Sequence, residues 1–154
     1  MKKKILTSLI LLFLSSCGYE AKYSKKNRDY YNFSISKLNF IGDREINLKI
    51  KEKLNNYTLT KKDKDFTLKV SSTVEKLILA KNDSGDPTNF KITIILNVEI
   101  LNNNKLINNQ ILTENFNYNN NSNKFDLKRY EKRIKNNLAT TLTDKLIFKI
   151  SSIQ

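Results

Sequence analysis

From residue 33 onward, apolar positions recur with a period that switches between two and three-to-four. Phe33 and Ile35, then Leu38 and Phe40, alternate with polar residues across a one-residue slip at Ser36-Lys37, the pattern of a strand carrying a bulge. Gly42-Asp43 stops that strand, and Asp43 has the short side-chain oxygen that caps a helix. Ile46, Ile50, Leu54 and Tyr57 then follow at helical steps, predicting a helix from about Arg44 to Asn55 with one apolar face. Phe66, Leu68 and Val70 alternate with Thr67, Lys69 and Ser71, and the strand continues with looser phase through Val74 to Leu79. Turn-forming residues fill Lys81 to Pro87. Beyond them Phe90, Ile92, Ile94, Leu96, Val98 and Ile100 alternate without a miss, the strongest strand signal in the chain. Asn102, Asn103 and Asn104 predict a second turn, and Leu106 to about Tyr118 a further strand.

An Asn-rich loop, Asn119 to Asn123, leads to a stripe of Leu127, Tyr130, Ile134, Leu138, Leu142, Leu146 and Ile150. That stripe predicts a helix of about 24 residues, about 36 Å long, with Asp126 as its cap. The order β-α-β-β-β-α predicts an α+β domain: two helices packed on one face of a four-stranded, mostly antiparallel sheet. Two hairpins set the antiparallel pairs, and the helical crossover places the first strand.

The N-terminus follows a different rule. Lys2, Lys3 and Lys4 precede Ile5 to Leu14, where only Thr7 and Ser8 are polar, and small residues come next, as in a secretory signal. Ten helical residues rise about 15 Å, half the hydrocarbon thickness, so the run is too short to span a bilayer. Ser15 and Ser16 are followed by Cys17, the one cysteine of the chain. Leu14-Ser15-Ser16-Cys17 resembles the bacterial lipobox. The resemblance implies cleavage after Ser16 and a covalent diacylglycerol and N-acyl lipid on Cys17, an anchor of roughly 0.8 kcal/mol per buried methylene. Gly18 stands where, in many bacteria, an Asp signals retention in the inner membrane, so the implied destination is the outer membrane, facing the periplasm. Residues 1–16 are then a signal peptide, 17–32 a lipid-anchored tether and 33–154 the folded domain. The tether sets Tyr19, Tyr23, Tyr30 and Tyr31 among Lys22, Lys25, Lys26 and Arg28; export argues against nucleic acid as their partner.

Composition removes most enzyme chemistries. The chain has no His and one Cys, which excludes an intramolecular disulfide, a Cys/His zinc site and a Ser-His-Asp or Cys-His arrangement. Its glycines, Gly18, Gly42 and Gly85, cannot compose a phosphate-cradling loop. The formal charge is +13, and loss of the three leader lysines leaves +10. The 24 Lys against 4 Arg, with 22 Asn and 17 Ile, have the profile of an AT-rich coding sequence. Whatever its origin, that charge favours anionic surfaces.

The mature start Cys17-Gly18-Tyr19, the junction Phe40 to Arg44, the hairpin Glu75 to Ile100 (EKLILAKNDSGDPTNFKITIILNVEI) and the stretch Glu114 to Ile150 resemble the LPS-assembly lipoprotein LptE family in its alphaproteobacterial form. The similarity covers nearly the whole mature chain and contains no catalytic motif. It implies a protein without enzymatic activity, cofactor or metal, which plugs the outer-membrane β-barrel LptD, assists its assembly and aids insertion of LPS into the outer leaflet. It also implies direct contact with LPS. Lys76, Lys81 and Lys91 flank the Asp83-Ser84-Gly85 turn, in a hairpin that projects into the barrel in that family, and are the candidate LPS-binding residues, although solvated positions on strand edges and turn flanks also explain them. Lys128, Arg129, Lys132, Arg133 and Lys135 form a second cluster, which a solvated helix face also explains. Two further readings remain open: an accessory lipoprotein of an envelope ABC transport system, and a lipid-anchored hydrolase using carboxylates. Glu75, Asp83, Asp86 and Glu114 are available for the latter, but no spacing pairs them.

Overall fold

The computed structural model describes residues 31–153. The signal peptide, Cys17 and all but the end of the tether lie outside them, as does Gln154. In chain order the elements are β1 (Phe33–Gly42), α1 (Arg44–Leu54), a 3-10 turn (Asn55–Tyr57), β2 (Lys64–Lys81), β3 (Pro87–Asn102), β4 (Lys105–Asn119) and α2 (Lys124–Ser151). The strands form one sheet in the order β1-β2-β3-β4. β1 runs parallel to β2, and the other two pairs are antiparallel. The α+β architecture is the expected one, with a mixed sheet.

The bulge lies where the side-chain phase slips. Ile35 pairs with Phe66 and Lys37 with Thr67, so Ser36 is the extra residue and Leu38 and Phe40 return to the side of Phe33 and Ile35. β1 ends where Gly42 (φ +97°) turns the chain off the sheet. The Asp43 carboxylate accepts the Ile46 N–H at 3.0 Å and starts α1. Behind this corner, the Ser72 hydroxyl donates to Asn47 Oδ1 at 2.8 Å and Asn47 Nδ2 donates to the Ile41 carbonyl at 3.1 Å. The two buried polar side chains thereby satisfy each other and tie α1 to β1 and β2.

The β3–β4 hairpin turns on Asn103 and Asn104, at φ 48° and 63°. Two successive left-handed residues make the turn that matches strand twist, and Asn tolerates that conformation. In the β2–β3 hairpin, Asn82 accepts the Gly85 N–H at 2.9 Å through its carbonyl and the Asp86 N–H at 2.8 Å through its side chain.

One sheet face carries the core. Phe66, Leu68 and Val70 of β2 lie with Phe90, Ile92, Ile94, Leu96, Val98 and Ile100 of β3 against Ile46, Ile50 and Leu54 of α1 and Ile134, Leu138, Leu142, Leu146 and Ile150 of α2, all buried. Each such side chain contributes roughly 1.5–3 kcal/mol relative to exposure. α1 and α2 run in the same direction, since Glu45 faces Lys132 at one end and Lys53 faces Asp144 at the other.

Three local expectations need correction. The cap of α2 is Asn123, whose Oδ1 accepts the N–H groups of Phe125 (3.0 Å) and Asp126 (3.3 Å); the helix has 28 residues and is about 42 Å long. Tyr57 is outside α1, in the 3-10 turn, where it stacks on Phe33 at 4.9 Å. Tyr130 is 36% exposed and meets Tyr118 edge-on instead of entering the core.

Candidate functional site

β1 leaves the sheet beside Ser72, and β2 continues to Lys81. The β2–β3 hairpin therefore extends past the two-helix core, with Leu77, Ile78 and Leu79 about half exposed at 53%, 51% and 49%. The three candidate lysines flank this hairpin, but the structure does not gather them into one patch. Lys76 pairs across to Ile92 and so shares the helix side of the sheet, whereas Lys91 pairs with Leu77 and Asn117 and points to the other side. Lys81 sits opposite Pro87 at the mouth of the turn.

Lys76 is engaged. Its Nζ lies 2.6 Å from Glu131 Oε1 on α2 and 4.1 Å from the centre of the Phe90 ring. The Tyr118 hydroxyl donates to the same carboxylate oxygen at 2.7 Å. Burial raises the pKa of Glu131, but hydrogen bonds from Lys76 and Tyr118 and the charges of Lys76 and Lys135 outweigh it and hold the carboxyl below its ordinary value. Burial, and then the bond to Glu131, push the Tyr118 hydroxyl far up. This group of four side chains braces the hairpin against the first turns of α2. Among the described residues, Lys81 and Lys91 have no carboxylate within ion-pair distance.

The second basic cluster contains arginines packed on rings. Arg129 lies over Phe125 at 5.6 Å and Arg133 over Tyr130 at 5.4 Å. The two arginines, with Tyr130, Lys132, Asn119 and Asn121, line a groove of about 890 Å³ beside the β4–α2 loop, in which the cations outnumber the one carboxylate, Asp126. Its chemistry suits an anion, bound by guanidinium groups held in place by aromatic faces. Sequence spacing had grouped Lys128, Lys132 and Lys135; the arginine–aromatic pairs were missed, although their steps of three and four residues were a readable signal.

The carboxylates do not converge. Glu75 is opposite Thr93 on the open sheet face, while Glu114 is opposite Ile94 on the helix face and bonds Lys145. Asp83 and Asp86 belong to the hairpin turn. No group of three or more metal-ligating side chains occurs among the described residues.

The sheet face away from the helices is polar, with Asn39, Lys69, Ser71, Thr73, Thr93, Asn97, Glu99, Thr113 and Asn115 in register across the four strands. Ile41, Leu77 and Ile111 are large apolar side chains exposed among them.

No protein-family model matches the chain, and no curated protein matches its sequence. Its fold does match solved structures. The rare lipoprotein B of Shewanella oneidensis superposes with a TM-score of 0.59 at 10% identity, over 75% of this chain and 94% of that one. The minor lipoprotein of Acinetobacter baumannii superposes with a TM-score of 0.61 at 15% identity, over 79% and 92%. Lipoprotein B of Nitrosomonas europaea gives 0.55 at 12% identity, over 79% and 86%. At these identities the likeness is one of fold: this chain is folded as several bacterial lipoproteins are.

Proposed function

We propose that this protein is an outer-membrane lipoprotein of the LptE type, anchored through Cys17 and facing the periplasm and the barrel lumen. In this reading it plugs the LptD β-barrel, assists its assembly and aids insertion of LPS into the outer leaflet. The observation that carries the reading is the joint presence of a lipobox-like Leu14 to Cys17 and a fold shared with bacterial lipoproteins over most of the chain.

The surface supports it physically. The lumen of a large barrel is polar, and the sheet face opposite the helices offers Asn, Thr, Ser and Lys side chains in register. The long helix and the braced hairpin make a rigid body suited to filling such a lumen. Acting as a plug requires shape and surface and no reactive group, so the protein is not an enzyme and needs no cofactor beyond the lipid on Cys17. LPS phosphates and carboxylates are anionic, and the exposed Lys81, Arg129 and Arg133, with the half-buried Lys91, are the cations placed to meet them. Lys76 acts as a brace for the hairpin that presents the others.

Depletion in cells tests the reading. Loss of surface LPS, with LPS accumulating behind the outer membrane, is the expected result. Intact LPS export together with a defect in lipid asymmetry would replace it with the ABC-transport accessory role.

A further inference from the structure

β4 is the outermost strand, and no described strand pairs with its far side. The Asn120 N–H donates to the Thr88 carbonyl at 2.7 Å, which fixes the phase of the ladder. Even-numbered residues of β4 from Asn108 to Tyr118 turn their main chain to β3. Asn109, Ile111, Thr113, Asn115 and Asn117 turn theirs outward. All five are exposed, Ile111 by 68%. The outward groups repeat about every 7 Å over about 27 Å of strand.

Edge strands are usually blunted by Lys, Pro or bulges. From Asn108 to Asn119 this one has no Pro, no Lys and no shift of register. Its one charge, Glu114, is on the helix side and bonded to Lys145. The edge of β1 differs: it carries the Ser36 bulge, and its Ile41 carbonyl is taken by Asn47. β4 is therefore built as a template for an added strand.

Charge and area select what is added. Lys91 is on the outward-facing side of the sheet next to Asn117, Lys105 opens β4, and Glu99, opposite Asn109 on that side, is already paired with Lys69. A second copy would meet this edge with an identical one, each mature chain carrying a net +10. Two such edges would also bury about 600 Å² in all, well below the roughly 1,200–2,000 Å² of a stable interface. We propose that β4 accepts a fifth strand from a partner polypeptide, an extended segment with acidic side chains on the face shared with Lys91. This deepens the barrel-plug reading and rests on it for the partner, an extended acidic stretch of the barrel protein.

The test uses the full-length lipoprotein captured from solubilised envelopes. Thr113→Pro and Asn115→Pro each remove an N–H that faces outward, so the β3–β4 ladder keeps its bonds, as edge prolines allow. Capture of the barrel is expected to fall about tenfold in either variant. A photo-crosslinking side chain at position 111, which leaves the main chain intact and decides the matter should the prolines unfold the domain, is expected to mark one acidic stretch of the barrel protein. Wild-type recovery of the barrel by folded proline variants, with no cross-link from position 111 to it, overturns this inference and leaves the plug reading standing. A cross-link to a second copy overturns the assignment of the occupant. Recovery of the wild-type chain with no barrel overturns both.

Discussion

Gly42 and Gly85 both have positive φ, +97° and +85°, yet replacing them by Ala should have very different effects. A Cβ at Gly85 meets nothing within 4 Å, so Ala there bears only the left-handed conformation, roughly 1–2 kcal/mol, partly offset by a stiffer unfolded chain. A Cβ at Gly42 would lie 2.0 Å from the Ser72 carbonyl oxygen, where ordinary contact begins at 3.4 Å. The obstacle is main chain and cannot rotate away, so β1 and β2 must part. That movement strains the packing by about 1–3 kcal/mol. It also breaks the 3.2 Å bond from Asp43 N–H to the same Ser72 carbonyl, for about 1–3 kcal/mol more. With the same left-handed strain of about 1 kcal/mol that Gly85→Ala bears, the sum for Gly42→Ala is about 3–7 kcal/mol. Urea unfolding of residues 32–154, a compact unit of their own, reads the difference. With a slope of about 2 kcal/mol per molar, the Gly42→Ala midpoint should drop by about 1.5–3.5 M and the Gly85→Ala midpoint by about 0.5 M or less. Equal midpoints would refute the claim that close approach of the main chain, and not glycine's φ, sets the corner between β1 and α1.

Three further outcomes follow from the structure. Asn123→Ala should destabilise by about 1 kcal/mol, with Asp126→Ala costing clearly less, because Asn123 holds two N–H groups of the first turn; thermal melts of both variants check this. Ile94→Ala, at a fully buried position on β3, should cost about 2–5 kcal/mol in the same assay. Glu131 has its folded-state pKa below its ordinary value of 4.5, so the stability it contributes is present above about that pH and is lost as pH falls through the folded value. Stability measured from pH 6 down to pH 2 should therefore fall less steeply in Glu131→Gln than in the wild type; parallel curves would show that the brace to Lys76 and Tyr118 contributes nothing.

Much of this fold was legible because its core is written in side-chain period. The slip at Ser36-Lys37 marked the bulge, since one extra residue reverses the alternation. The unbroken Phe90 to Ile100 marked a strand covered on one side. The cap of α2 was misread because exposed Phe125 carries no periodic signal, so the helix seemed to begin at the first buried residue, Leu127, with Asp126 before it. Tyr57 kept helical spacing, but its ring found Phe33, a contact fixed by tertiary packing.

The site was less legible. Period two already put Lys76 in phase with Val70, Ser72 and Val74, on the helix side, so its separation from Lys91 could be read from parity. Its partner Glu131 could not, being 55 residues away on another element. Which edge stays open was likewise invisible, because it depends on where β1 leaves the sheet and on the order of the strands.

The central claim is that a lipid-anchored body works by occupying a barrel. Affinity capture of the full-length protein from detergent-solubilised outer membranes tests it most directly, with protein amounts quantified in the captured complex. The account predicts one large β-barrel protein in near-equal amount, bound to a chain that begins at an acylated Cys17. A chain recovered alone, with its leader uncleaved and Cys17 unmodified, would contradict it.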